Sequence, residues 1–592
     1  MLGFDFVRNH RSTFSQRKQI PNGDHRLWIA KSPTERARLL ASLGKTAHLG
    51  RVKGLLLIIG FVFVLKSHAQ VVPLPLDERP QSGEFVLHPQ ARVGVPVGDA
   101  GFYLQLLQQS GAKVQIAPAD AAAAIQFLSE NMMPDRYPIP EGEGYVVRIT
   151  PEVINIHAAT PAGHFYGLQT ICQLIESAPK SPDGEIRLTC RDIVDSPRFA
   201  WRGYMLDESR HFTGSEGLKR LLDAMARFKL NRLHWHLTDS PAWRIEIKKY
   251  PELTRIGARG SETDRSPDAP ANYYSQKQVR EIVSYAKQRG IQIIPEIDMP
   301  GHADAAVMAY PQHDGGGYES KTDPNKWPRF TFNPAKKETL NFLDDILTEV
   351  ASLFPEAGII HFGGDEVHFG WHKWPKLPEV QSLMKQENIK DLAGVEAWFN
   401  RRMAGTISRL GFKTGGWDEI AARGLPVDKT VIWWWRHDKP EVLHKALADG
   451  YPVILTPRRP CYLDFVQHED HKAGRRWGGF NPLDNVYQFP ANLKLTADQE
   501  KKVLGIQGSL WAETTVTQAR RDFLTWPRLI ALAEASWTEH EKKDFASFQS
   551  RLKPQLTWLK SKGIGYYDPF THSPEVTDQG AKTEYLDPPP TE

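Results

Sequence analysis

At 592 residues the chain is too long for one ordinary hydrophobic core, so it folds either as two domains or as one large barrel with an attached module. Its 74 basic and 70 acidic residues leave a formal charge of only +4, which offers a polyanion no long-range field and excludes nucleic acid as the expected partner. The 17 tryptophans point elsewhere, because an indole is a flat apolar surface on which a sugar ring can stack.

Residues 1–54 are rich in Arg and Lys and lead into "GLLLIIGFVFVLKSHAQ", whose apolar run Leu55 to Leu65 is too short to span a bilayer comfortably. It reads as the core of a signal peptide. Ser67-His68-Ala69 puts small residues where a signal peptidase reads them, so cleavage is expected before Gln70, giving an exported, periplasmic or secreted protein with no stable membrane insertion. The stretch before Arg51 is long for such a leader and is consistent with a start site assigned too early. The three cysteines, Cys172, Cys190 and Cys461, lack the spacing of a zinc site; a Cys172 to Cys190 bridge is open, with buried free thiols the preferred reading.

Residues 70–195 mix short alternating segments such as "GYVVRIT" with the apolar helix "GHFYGLQTICQLIES", which describes a small α+β domain. After "DIVDSPRFAWRG" the texture becomes short apolar strand, polar loop, amphipathic helix, repeated. Ser275 and Gln278 form a capping box for a helix with Val279, Ile282, Val283 and Ala286 on one face and Gly290 at its end. Asn333 and Pro334 are expected to start another, with Phe342, Leu343, Ile346, Leu347, Val350 and Phe354 facing inward. The apolar runs GYMLD, RLHWHL, IQIIPEID, GIIHF, FKTGGW, TVIWWW, PVILTP and VLGIQGSLW then supply the strands of an α/β fold, a (β/α)8 barrel over residues 196–565 whose chemistry belongs at the strands' C-terminal ends. The tail 566–592, ending "DPPPTE", is expected to be flexible.

At the end of the fourth run, "HFGGDEVHFGWHKW" places Asp365 beside Glu366. Neighbours on a strand point to opposite faces, so both can enter one pocket only where the chain leaves the strand, a departure that Gly363 and Gly364 permit. Two enclosed carboxylates do not both ionise easily, which is expected to raise the proton affinity of one and make it a general acid for glycoside hydrolysis.

The chain resembles glycoside hydrolase family 20, the β-N-acetylhexosaminidases. "HFGGDE" matches that family's His-x-Gly-Gly-Asp-Glu motif, and "WRGYMLDESRHF", "HWHLTDSPAWR", "PEIDMPGHADA", "GGWDEI", "CYLD" and "LWAE" follow the family's order over residues 75–565. The resemblance implies a retaining mechanism in which the substrate's acetamido group is the nucleophile. It implies Glu366 as acid and then base, Asp365 as the group that orients the 2-acetamido and stabilises an oxazolinium intermediate, and Asp239 with His302 as a relay behind Glu366. It also implies Arg202 on the 3- and 4-hydroxyls, Trp417, Trp435 and Trp511 as walls, Tyr462 on the acetamido oxygen, and Asp464 and Glu513 on the 4- and 6-hydroxyls. His361, which opens the motif, joins the substrate-binding set. No cofactor and no metal are implied; the partner is a glycan or chitooligosaccharide.

The chain departs from the family at Ser240, Pro241 and Ala242, where many members have Asp-Gln-Gly, at Asp304, and in a long loop at 310–330 that is a candidate for shaping the aglycone side. Two other readings compete. His234-x-His236 resembles the ligand pair of metal-dependent amidohydrolase barrels, a weak motif without further ligands at later strand ends. An inactive sugar-binding protein would be expected to lack one acid, and both are present. The residues leave open the choice between N-acetylglucosamine and its galacto epimer, and whether the protein is a homodimer.

Overall fold

A computed structural model describes residues 70–95, 100–117, 122–129, 139–318, 327–476 and 479–577. The leader and its cleavage site, apart from Gln70, lie outside them. Residues 77–195 build a seven-stranded sheet from β1 (Asp77–Leu87), β2 (Arg92–Gly94), β3 (Gln115–Ile116), β4 (Ile125–Ser129), β5 (Tyr145–Ile149), β6 (Ile154–Ala158) and β7 (Ile186–Asp195), in the order β1-β7-β5-β6-β4-β2-β3. Helix Pro161–Ser177 packs on it. Thr160 caps that helix by accepting the Gly163 N–H, and Pro161 opens it at a position that needs no N–H.

The barrel begins at β8 (Trp201–Asp207) and β9 (Arg232–His236), continues with β10 (Gln292–Glu296), and is interrupted by a hairpin, β11 (Asp314–Tyr318) with β12 (Trp327–Phe332). It resumes as β13 (Ile359–His361), β14 (Lys413–Trp417), β15 (Thr430–Trp434), β16 (Val453–Leu455) and β17 (Val503–Leu510). The eight strands other than the hairpin close in the order β10-β13-β14-β15-β16-β17-β8-β9, every pair parallel. Each of the eight apolar runs read from the sequence supplies one of them. They read as apolar throughout because helices cover one side and the packed interior the other. That interior is filled by Trp433, which donates to Gln507 at 3.2 Å, and by Trp201, edge-on to it at 5.3 Å.

The surrounding helices follow local chemistry. Ser275 and Gln278 form the reciprocal capping box on helix Gln276–Lys287, worth about 1 kcal/mol, and Val279, Ile282 and Ala286 are buried, with Val283 at the margin. The helix expected from Asn333 starts later, at Lys337, and runs to Leu353. Asn333 instead turns the chain, its side-chain oxygen accepting the Ala335 N–H. The loop at 310–330 is partly regular: β12 runs past the site, and Phe330 lies edge-on to His302 at 4.7 Å.

The small domain is fastened to the end of the barrel where the strands begin. Asp195 receives Tyr145 and Lys229 on one oxygen, at 2.5 and 2.9 Å, and Trp537 on the other at 2.8 Å. Arg202 belongs to the same junction. The tail does not leave the fold at 565: Tyr567 is buried, and Glu575 pairs with Arg520 at 2.6 Å while accepting the N–H groups of Lys472 and Ala473. A carboxylate with three donors holds the segment down, which corrects the expectation of flexibility as far as residue 577. All three cysteines are free and buried. Among the described residues no helix is long and apolar enough to cross a membrane.

Candidate active site

The site is built where the strands end. β13 stops at His361, and Gly363 and Gly364 carry the chain away with φ of 71° and 84°. At Gly363 a side chain has no room, since a Cβ there would stand 1.8 Å from Asp298 Oδ1. Glu366 follows with φ 51°, and His302, on the loop after β10, has φ 52°. Both are non-glycine residues in the left-handed region, a cost that surrounding structure must hold in place and that clusters at functional sites. The result brings Asp365 and Glu366 to one side of a pocket, with His302 Nε2 3.5 Å from a carboxylate oxygen of each.

Behind His302 runs a buried chain of hydrogen bonds. His302 Nδ1 lies 3.0 Å from Asp239 Oδ1, and Asp239 Oδ2 meets His236 Nε2 at 2.9 Å and Arg210 Nη1 at 2.6 Å. His236 Nδ1 continues to Glu296 Oε2 at 2.5 Å. Glu296 is shared further: His234 Nε2 is 3.0 Å away, His361 Nδ1 2.9 Å, and Trp417 donates its indole N–H at 2.9 Å. Strand register produces this, because Glu296 pairs with His236 on one side and His361 on the other. One carboxylate therefore anchors both the relay and a pocket wall.

The walls are aromatic. Trp417, Trp511, Tyr462 and Trp435 follow one another with ring centroids 5.6, 6.0 and 6.4 Å apart, and all line the pocket. Trp435 is fixed by donating to Glu419 at 3.0 Å. Glu513 and Arg475 also line the pocket and pair with each other, and Arg475 binds Asp464 as well. Such flat walls with convergent polar groups suit a pyranose, which is apolar on its faces and hydroxylated at its rim.

Electrostatics distribute the protons unexpectedly. Burial opposes charge on His302, but the Asp239 and Asp365 carboxylates outweigh it and hold the ring well above its ordinary value. Burial raises the Glu366 carboxyl, yet the hydrogen bond and charge of His302, with Arg210 and His368, bring it below the ordinary value. Burial and the Asp365 charge push Asp298 well up. The expectation that crowding raises the proton affinity of one acid of the pair is not met at Glu366, because His302 compensates the pair it faces; the carboxyl pushed up is Asp298, beneath the glycine turn.

Of the residues selected from sequence, His302, Asp365, Glu366, Trp417, Trp435, Tyr462, Trp511 and Glu513 line the pocket. Asp464 is buried at the pocket's edge, bound to the lining residue Arg475, and Asp239 stands behind His302. His361 is fully buried under the floor against Glu296, so it is a scaffold for the site and not a contact surface. Arg202 is misplaced by the sequence reading. It is the second residue of β8, at the barrel's opposite end, where its guanidinium binds Glu143 at 2.6 Å, the Tyr166 hydroxyl and the Phe199 and Lys229 carbonyls. From this stretch the arginine that lines the pocket is Arg210, three residues past the end of β8 and 5.0 Å over the Trp511 ring. The strand-end rule alone selects it from "WRGYMLDESRHF". Asp298, Glu296 and Arg475 were also missed, and only Asp298, at the exit of IQIIPEID, carried a signal of that kind.

The His234-x-His236 pair does not read as a metal centre. Donor atoms of His234, Glu296 and His361 lie within 4.8 Å of one another, but all three residues are fully buried. The His234 nitrogens are engaged by Gln507 and Glu296, and His236 by Glu296 and Asp239. A catalytic ion needs an open coordination position facing substrate, which this layer below the pocket does not provide.

Comparison with known proteins agrees with this geometry. Residues 199–540 match the family model "Glycosyl hydrolase family 20, catalytic domain" and residues 68–196 match "Glycosyl hydrolase family 20, domain 2". The chain is 35% identical to a beta-hexosaminidase of Porphyromonas gingivalis over 85% of its own length, spanning 65% of that protein. It is 28% identical to the human beta-hexosaminidase subunit beta, over 73% of each chain. Among solved structures, the family 20 exo beta-N-acetylglucosaminidase of Vibrio harveyi in complex with N-acetylglucosamine superposes with a TM-score of 0.76 at 32% identity, covering 85% of this chain and 79% of that one. With a pocket of adjacent acids, a histidine relay and tryptophan walls at the mouth of an eight-stranded barrel, this chain belongs to glycosyl hydrolase family 20.

Proposed function

We propose that the protein is an exo-acting β-N-acetylhexosaminidase that removes terminal N-acetylglucosamine or N-acetylgalactosamine from glycans or chitooligosaccharides with retention of configuration. The observation that carries this reading is the adjacency of Asp365 and Glu366, both within reach of one histidine nitrogen. Acids on one side of a pocket do not flank a sugar in the way two-carboxylate hydrolysis requires. They suit a substrate that brings its own nucleophile. The acetamido carbonyl oxygen attacks C1, the glycosidic C1–O bond breaks, and Glu366 passes a proton to the leaving oxygen. Asp365 accepts the acetamido N–H and opposes the charge of the oxazolinium. Water then attacks C1 and gives a proton to Glu366 as the C1–O bond to the acetamido oxygen breaks, which opens the oxazolinium ring and restores the 2-acetamido group. The substrate's exclusion of water from the pocket strengthens the burial effect that raises Glu366, so the acid form develops as the sugar binds. Arg210 takes the hydroxyl-binding role first assigned to Arg202, with a donor fork suited to vicinal oxygens, and Asp464 and Glu513 meet the 4- and 6-hydroxyls.

The test replaces the 2-acetamido group by hydroxyl. Turnover of an aryl β-N-acetylglucosaminide should far exceed that of the matching β-glucoside, and comparable turnover of the two would sink the mechanism. Export is proposed on the leader sequence, supported by Val71 and Val72, which are fully buried directly after the cleavage position. N-terminal sequencing of protein from its native host should find Gln70 or a close neighbour; a start within residues 1–40 contradicts it.

A further inference from the structure

Two loops from different strands meet at one edge of the pocket. Asp464 follows β16 and Glu513 follows β17, and the guanidinium of Arg475 spans them, donating from Nε to Asp464 Oδ2 at 2.7 Å and from Nη2 to Glu513 Oε1 at 3.0 Å. Arg475 is itself held in register. Its N–H donates to the Asp464 carbonyl at 2.8 Å and its carbonyl accepts the Val466 N–H at 3.0 Å. Gly474 makes that approach feasible, since a Cβ there would stand 2.9 Å from the Asp464 carbonyl oxygen. Asp464 Oδ1, in contrast, is buried with no protein partner. A buried acceptor without a donor is costly unless a ligand supplies one.

We propose that Arg475 is a positioning residue for substrate selection: by holding Asp464 and Glu513 apart, with one oxygen of each on its own fork, it determines how strongly the enzyme requires the sugar's 4- and 6-hydroxyls. The proposal rests on the reading above that these carboxylates meet that edge of the sugar. Two buried acids at one edge, left without the cation, would share a proton and bond to each other, consuming the oxygens a hydroxyl needs. Burial already raises Asp464 to about 6 against the pull of Arg475, with Glu513 adding to the rise, whereas Glu513 stays below its ordinary value despite burial because Arg475 and Arg210 face it. A lysine ammonium lacks the planar fork that reaches both loops at once.

The experiment compares kcat/KM for an aryl β-N-acetylglucosaminide and its 4-deoxy and 6-deoxy analogues in the wild type, Arg475→Met and Arg475→Lys, with thermal unfolding as the control for folding. The wild type should lose about 10- to 100-fold on removal of a hydroxyl bonded to a charged acceptor. In Arg475→Met the parent substrate should slow by a similar factor, mainly through KM, while the deoxy analogues change little, so that the penalty shrinks to within about 3-fold. Arg475→Lys should fall between, and it carries the same comparison if Arg475→Met does not fold. A penalty unchanged in both variants, with all substrates slowed alike, would overturn the proposal by reducing Arg475 to a structural contact. A wild type indifferent to both hydroxyls would overturn the placement of the sugar instead, and with it the basis of the proposal, while leaving the 2-acetamido requirement intact.

Discussion

At the residue scale the two acids are distinguished by the work each would do. Proton donation matters in proportion to the basicity of the leaving oxygen, and general acid catalysis contributes about 10²- to 10⁴-fold. Glu366→Gln is therefore predicted to steepen the dependence of kcat/KM on phenol acidity across aryl glycosides, most severely for poor leaving groups. Asp365→Asn should slow good and poor substrates alike, because the charge it opposes forms whichever group departs. A steepening confined to Asp365→Asn would show the roles reversed. Asp304, one of the departures from the family pattern, gives a stability test. It is buried, accepting from Ser240 at 3.1 Å and from the Arg329 N–H at 3.0 Å, and burial pushes its carboxyl from the ordinary 3.8 up to about 7, against those bonds. A folded value above the unfolded one means stability present in full below 3.8 and lost as pH rises through about 7. That interval corresponds to roughly 4 kcal/mol at most. Asp304→Asn keeps the shape without the titration. Its unfolding midpoint relative to wild type should rise between pH 4 and pH 7 and level off above; a difference independent of pH would contradict the assignment.

At the element scale the decisive feature is the exit from β13. Gly363 needs a positive φ and also the space occupied by the Asp298 carboxylate. Gly358, just before the strand, has φ 66° but nothing within 4 Å of its Cβ position. Gly358→Ala should thus cost only the backbone term, about 1–2 kcal/mol, with kinetics preserved. Gly363→Ala should displace Asp298 and the acid pair, reducing kcat by at least about 10²-fold, since an error near 1 Å in a catalytic group costs that much. Equal effects of the two substitutions on kcat would remove the argument that the turn is shaped by Asp298. The strands themselves were legible because their apolar runs lie between short-range stop signals. The start of helix Lys337–Leu353 was not, because Asn333 spends its side chain on the turn it belongs to, a choice that an Asn-Pro pair leaves open.

At the scale of the whole molecule, the segment after the last barrel helix reaches back to the pocket. Glu575 binds the N–H groups of Lys472 and Ala473, which immediately precede Gly474 and Arg475. A chain ending at Gly565 should consequently unfold several degrees lower, as expected for loss of about 2–3 kcal/mol in a large domain, and show a raised KM. A chain ending at Thr577 should match the full length in both. If the shorter chain keeps its KM, the tail stabilises the fold without ordering the Arg475 loop. The same scale explains Arg202: its buried charge is offset by Glu143 from the small domain, so it joins two domains at the face remote from chemistry.

What the sequence determined by itself was local in origin. The eight strands, the capping box at Ser275, the adjacency of Asp365 and Glu366 and the aromatic residues at strand ends all follow from periodicity or from neighbours within a few positions, which chain geometry alone relates. The tertiary structure decided the questions that sum over several strands. It selected Arg210 over Arg202, because facing the pocket depends on which end of β8 a residue occupies. Asp298 became the carboxyl pushed upward, because proton affinity depends on burial and on charges contributed by β9, β10 and β13 together. Glu296 came to join the relay to Trp417, and Arg475 came to join Asp464 to Glu513, because register across parallel strands brings into contact groups that are distant in sequence.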